Sequence, residues 1–182
     1  MHILITGASG LVGRSLINAL KQRDYRISIL STNKQQDLIF KNIKTYYWNP
    51  SDGVLDVKAL KGVDTIISLA GAKINQRWTN KNKRSIFDSR VKGTQLIQDA
   101  LKNNPDHSIS HFISASAIGL YPSDYEKIYS EKENKISDSF AGRVVFSWEK
   151  QVKALSPFVR HVSIIRIGLV LAKSGGALVP LS

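Results

Sequence analysis

Three glycines at fixed spacing constrain this chain more than any other feature. Its first thirteen residues read MHILITGASGLVG. A short, mainly apolar run over 2–6 has the length of a strand. It enters the turn Gly7-Ala8-Ser9-Gly10-Leu11-Val12-Gly13, and a pattern with helical spacing follows at once. Glycine permits positive φ and lets another backbone come close. The free N–H groups of a helix's first turn, together with the helix dipole, favour an anion. A pyrophosphate meets that description. The spacing G-x-x-G-x-x-G is a variant of the dinucleotide fingerprint G-x-G-x-x-G, placed here directly after a strand and before a helix. Gly7, Ser9, Gly10, Leu11, Val12 and Gly13 are therefore the expected phosphate-binding turn.

Downstream, apolar runs alternate with helical patterns. The helix after Gly13 should reach Arg23, with Leu11, Val12, Leu16, Ile17 and Leu20 facing a sheet. Strands are expected at 26–30, 43–48, 63–69, 110–115 and 162–167, with a short helix over 54–60. Long helices are expected over 79–102 and 141–155, the second stopped by Pro157. Strands that alternate with helices form a parallel, doubly wound α/β sheet with right-handed crossovers. Six strands complete the dinucleotide-binding (Rossmann) order 3-2-1-4-5-6.

The cofactor's phosphate pattern can be read from the second strand. In a dinucleotide fold an acidic residue at its end holds the ribose 2′-OH of NAD. Here the strand ends in Ser31-Thr32-Asn33-Lys34, with no carboxylate. Hydroxyls and a lysine suit a 2′-phosphate, so NADP(H) is expected in preference to NAD(H). The fourth strand ends in Ala70-Gly71-Ala72, small residues that let a cofactor approach the backbone. Ser114 and Ser116 close the fifth strand, where they can bond a carbonyl or hydroxyl near a nicotinamide. Arg90, on the long helix, either reaches a phosphate or is solvated. Glu131, in the polar loop over 122–138, either contacts substrate hydroxyls or is solvated.

Composition narrows the partners. The chain of 182 residues carries 26 Lys and Arg against 14 Asp and Glu, a net charge of +12. Such a charge favours anionic partners, although a solvated lysine-rich surface explains it more simply than any specific polyanion. Only Phe87 interleaves the basic cluster Lys81, Lys83, Arg84, Arg90 and Lys92, so nucleic acid is not an expected partner. There is no cysteine, hence no disulfide framework. No metal-ligand cluster and no internal repeat stands out. The chain enters a strand directly after Met1 and has no membrane-length apolar run, so a cytoplasmic protein is expected.

Taken together, the motifs resemble the extended short-chain dehydrogenase/reductase superfamily. More narrowly, they resemble an atypical branch of NAD(P)-dependent sugar-nucleotide epimerase-like proteins, some described as cell-division inhibitors. The matching stretches are ITGASGLVG, ISLAGAKI at 67–74, RWT at 77–79, Ser89-Arg90 with Gly93-Thr94, SASAIGLY at 114–121, SWE at 147–149 and RIGLVLAKSGGAL at 166–178. The resemblance implies NADP(H) binding. Gly7, Gly10 and Gly13 would hold the pyrophosphate, and Ser31 and Thr32 would sit by the adenosine ribose. Leu69 and Ala70 would line the adenine side, with Gly71 beside them against the cofactor. Ser85 and Arg90 would lie against the cofactor from the long helix, with Ser114, Ile167 and Gly168 near the nicotinamide. The branch often has arginine where Thr32 stands. Members also carry a C-terminal substrate region, so 1–182 reads as the NAD(P)-binding Rossmann domain without it. Dimerisation through the two long helices is common in the superfamily.

One departure bears on chemistry. The superfamily's general acid/base is a Tyr-x-x-x-Lys dyad. No tyrosine of this chain is followed four residues later by lysine. Ser116, at the superfamily's third catalytic position, and Tyr121, the nearest phenol, remain the catalytic candidates. Two functions follow: an NADP-dependent oxidoreductase or epimerase of unknown substrate, or a non-catalytic NADP(H)-binding regulatory or redox-sensing protein.

Overall fold

A parallel sheet forms the centre of the molecule, because most of its strands are apolar on both faces. The structure, a computed structural model, describes residues 1–33, 40, 42–172 and 175–177. Strands β1 (His2–Thr6), β2 (Arg26–Ser31), β3 (Lys44–Asn49), β4 (Val54–Leu55), β5 (Thr65–Ser68), β6 (His111–Ala117) and β7 (His161–Ile167) make one sheet. Its order is β4-β3-β2-β1-β5-β6-β7. Helices α1 (Leu11–Lys21), α2 (Asn80–Lys102) and α3 (Phe140–Lys153) flank it. A two-stranded ribbon, β8 (Leu171–Ala172) with β9 (Gly175–Gly176), follows β7.

Alternation along β1 divides two cores. Ile3 and Ile5 join Ile17 of α1, Ile27 and Ile29 on one face. Leu4 joins Ile66, Phe112, Ile97 of α2 and Trp148 of α3 on the other. The six parallel strands have the expected order. The sheet has seven strands rather than six, however, because the expected helix over 54–60 is not one element. Val54–Leu55 pairs antiparallel with Trp48 and Asn49 of β3. Asp56 then caps a single 3₁₀ turn, Val57–Leu60, by accepting from the Lys58 amide. A turn at 49–53, with Gly53 at φ +66°, sends the chain back along β3 before a helix can start.

Two boundaries matter for the site. Helix α1 starts at Leu11, so Gly13 lies in its first turn instead of before it, and Val12 points outward. Strand β6 extends to Ala117, which places Ser116 in the ladder opposite Arg166 of β7.

Candidate functional site

The glycine turn joins the C-terminal ends of β1 and β5. Gly7 has φ +72°, and a Cβ there would lie 2.6 Å from the Leu69 carbonyl carbon. A Cβ on Gly13 would lie 2.3 Å from the Gly7 carbonyl oxygen. Glycine is required at both positions, once for conformation and close approach, once for packing of helix on turn. Gly10 is the N-cap of α1 and supplies no side-chain cap, and the first turn holds no acidic residue. The helix thus presents its N-terminal N–H groups and positive dipole end to an anion. Thr6 supports the turn from beneath. Its Oγ1 accepts from the amides of Leu69 and Ala70, both at 3.1 Å, and donates to Ser68 Oγ.

Helix α2 fixes the next loop. Ser89 Oγ accepts from the Ala72 amide at 2.9 Å and donates to the Ile86 carbonyl. Arg90 Nη1 donates to the carbonyls of Ile86 at 3.0 Å and Ala72 at 3.3 Å. Its guanidinium covers Gly71, where a Cβ would come within 3.0 Å of Cζ, and lies 5.4 Å above the Trp148 ring. Burial lowers the Arg90 pKa from its ordinary value. Arg90 is therefore half-buried and engaged with backbone carbonyls rather than solvated. It forms one wall of a cavity of about 230 Å³ shared with Ser116, Trp148, Ile167 and Gly168.

Behind the cavity is a polar network. Glu149 is only 3% exposed. Its Oε1 accepts from Ser116 Oγ at 2.6 Å and from Arg166 Nε at 2.8 Å, and its Oε2 accepts from Arg166 Nη2 at 2.8 Å. Arg166 Nη1 donates to Tyr121 Oη at 2.6 Å and to the Glu131 carbonyl at 3.2 Å. Tyr121 Oη donates to the Ser130 carbonyl. Burial alone would raise the Glu149 pKa, but the bonds from Arg166 and Ser116 outweigh it and hold the carboxyl below its ordinary value. Glu149 in turn raises the pKa of Arg166. Glu131 is itself exposed and contributes only its backbone.

With this geometry in place, similarity to known proteins decides the family. The profile of the NAD dependent epimerase/dehydratase family matches residues 3–152. The chain belongs to that family. An epimerase family protein of Staphylococcus haemolyticus is 37% identical over 179 residues, 97% of this chain and 58% of the relative. One from Staphylococcus saprophyticus is 34% identical over 177 residues, again 97% and 58%. The chain thus spans little more than half the length of the curated relatives it matches. Among solved structures, a nucleoside-diphosphate sugar epimerase from Corynebacterium glutamicum superposes with TM-score 0.81 at 27% identity, over all of this chain and 36% of that one. A human epimerase family protein solved with NADPH gives TM-score 0.80 at 23% identity, over 100% and 58%. UDP-glucuronic acid 4-epimerase from Bacillus cereus, solved with NAD, gives 0.75 at 22%, over 97% and 59%.

Within this epimerase/dehydratase domain the residues expected from sequence form two clusters, with the rest placed apart from both. Gly7, Gly10, Gly13, Leu69 and Ala70 meet around one turn, and Gly71 lies under the Arg90 guanidinium. Arg90, Ser116, Ile167 and Gly168 line one cavity. Ser85 is exposed on α2, and Ser114 is buried with its Oγ donating to the Ala115 carbonyl. Ser31 is buried and accepts from the Asn33 amide, while Thr32 is exposed. Lys34 lies outside the described residues. Tyr121 stands apart from the cavity but is joined to Ser116 through Arg166 and Glu149. Sequence reasoning missed Thr6 as the support of the turn and Glu149 as the partner of Ser116 and Arg166. A polar residue ending a buried strand, and a lone glutamate on the apolar face of α3, were the available signals.

Proposed function

We propose that this domain binds NADP(H) and serves an oxidoreductase or nucleotide-sugar epimerase-like activity on a small-molecule substrate not yet identified. The observation that carries this reading is the uncapped N-terminus of α1 beside Gly7 and Gly13, two positions a Cβ would fill. A pyrophosphate fits there on chemistry alone: amide donors, a dipole and no carboxylate. The dinucleotides named for the human and Bacillus structures support the cofactor class. Bound at this turn, the cofactor would supply redox chemistry, and the chain would position it. NADP(H) is favoured over NAD(H) because Thr32 is exposed at the end of β2 and no acid stands among residues 31–33. A cytoplasmic location fits the same reading. So does dimerisation across α2 and α3, which expose Phe87 and Phe146. Among the described residues no helix is long and apolar enough to cross a membrane.

A second reading, a non-catalytic NADP(H)-binding regulatory protein, is favoured by one observation. Both catalytic candidates, Ser116 and Tyr121, are committed to the Glu149–Arg166 network. Calorimetric titration with NADPH, NADP, NADH and NAD tests the common premise. Micromolar binding with the phosphorylated forms preferred supports it, and no binding by any of the four overturns it. Turnover of nucleotide sugars by a full-length relative then separates the two readings.

A further inference from the structure

The cavity lined by Trp148 has side chains that are apolar except for Arg90, Ser116 and the indole itself. Their hydrogen-bonding sense is set by what stands behind them. A hydroxyl has one hydrogen to give and two lone pairs that accept. The Ser116 hydrogen is directed at Glu149 Oε1, 2.6 Å away. Glu149 is ionised, gripped by two Arg166 donors, and an ionised carboxylate only accepts. The pair therefore cannot exchange roles. Among the described residues Ser116 Oγ accepts no hydrogen bond. Arg90 has the opposite character, since a guanidinium only donates.

We infer that Ser116 acts toward the cavity's occupant as a hydrogen-bond acceptor, with Glu149 and Arg166 as positioning residues that fix this sense. The cavity accordingly takes a ligand that presents an O–H or N–H to Ser116, an alcohol or a primary carboxamide, and disfavours a bare ketone. This is opposite to a serine that donates to a carbonyl as negative charge develops on it. It rests on the dinucleotide reading only for who brings the donor: a nicotinamide carboxamide or a substrate hydroxyl. A carboxamide suits both walls, its oxygen facing a donor and its NH₂ an acceptor.

The test pairs ligands that differ in the donor alone. Wild type and Ser116→Ala are titrated calorimetrically with NADP and with its 3-acetylpyridine analogue, in which a methyl replaces the amide nitrogen. Both proteins are then examined by ligand-observed NMR with cyclohexanol and cyclohexanone, with and without saturating NADP. In wild type at least one pair favours its donor-bearing member by about fivefold, the worth of one ordinary hydrogen bond. In Ser116→Ala that preference falls to near unity. The pair that shows it identifies the source of the donor. Glu149→Gln supplies a group able to donate to Ser116 and frees its hydrogen, so the preference shifts toward the ketone. A merely structural Glu149 would weaken both members of a pair equally. If Glu149→Gln fails to fold, the Ser116→Ala comparison decides. No donor preference in either pair, or a preference that survives Ser116→Ala, overturns the inference. If NADP does not bind at all, the dinucleotide reading fails, and the alcohol and ketone on the free protein still settle the sense of Ser116.

Discussion

Glu149 of α3 and Arg166 of β7 face each other through two parallel N–H···O bonds, both 2.8 Å long, at the edge of the sheet. The pair ties the last helix to the last parallel strand and holds Ser116 on one side and Tyr121 on the other. The Arg166 side chain is 18% exposed and that of Glu149 only 4%. Removing one partner therefore leaves a buried charge with no counterion. Arg166→Leu is expected to lower the unfolding free energy by about 3 kcal/mol. The double variant Glu149→Met with Arg166→Leu recovers most of that loss, because the desolvation penalty disappears with the charge. Urea unfolding of the two single variants and the double variant gives the coupling directly.

The three glycines of the turn are not equivalent. Gly7→Ala meets a positive φ and the Leu69 backbone, and Gly13→Ala meets the Gly7 carbonyl. Each is expected to cost about 2 kcal/mol or more. Gly10 has ordinary backbone angles, and the nearest atom to its added Cβ is 3.3 Å away. Gly10→Ala should stay within about 1 kcal/mol of wild type. Thermal melts of the series rank the three. A large loss in Gly10→Ala, or none in Gly7→Ala, would contradict the geometry.

Thr6→Val keeps the shape of the side chain and removes the acceptor of two amides. Leu69 and Ala70 then lose their Oγ1 bonds at the mouth of the site. The expected cost is about 2 kcal/mol. Hydrogen exchange should quicken at Ala70, whereas the amides in the centre of β5 keep their protection.

His2 gives the molecule an acid sensitivity at the opposite end of the sheet. Its ring sits between the Gly62 carbonyl at 3.1 Å and Ser28 Oγ at 2.9 Å. Burial, and secondarily Arg26, lowers its pKa, against the opposing bond to Gly62. The folded value lies below the unfolded value of about 6.5. Between the two, the unfolded chain binds more protons. The stabilising contribution is therefore complete above the unfolded value and is lost as pH falls through the folded one. Unfolding free energy measured from pH 8 to pH 5 should decline in wild type, with a shallower slope in His2→Gln.

The parallel order was legible in the sequence because it depends on alternating apolar runs and on one glycine turn, both local patterns. Strand β4 was not. Val54 and Leu55 are too few to show a period, and only their pairing with Trp48 and Asn49 makes them a strand. At the glycine turn and beside Arg90, the backbone-defined positions Gly7, Gly13 and Gly71 could be named in advance, since a missing Cβ is written in the sequence. Polar partnerships could not. Ser116 and Glu149 are 33 residues apart, and Arg166 follows 17 later. Their meeting depends on how α3 packs across β6 and β7. On the face of α3 the spacing gave Val144, Val145, Trp148 and Val152 correctly, but it carried no signal for a buried Glu149, because a carboxylate is rarely buried without a cation and Arg166 is distant in sequence.

Trp148 stands in the wall of the cavity with the Arg90 guanidinium over its ring. The chain's other two indoles are placed elsewhere: Trp48 packs beneath Gly93, and Trp78 meets the edge of Phe140. A charge poised over an aromatic face biases the electronic levels of that ring. Any guest that draws Arg90 aside changes the field at a single indole. With Trp48 and Trp78 replaced by phenylalanine, the filling of the cleft becomes a shift in ultraviolet emission, an optical gauge that needs no added dye.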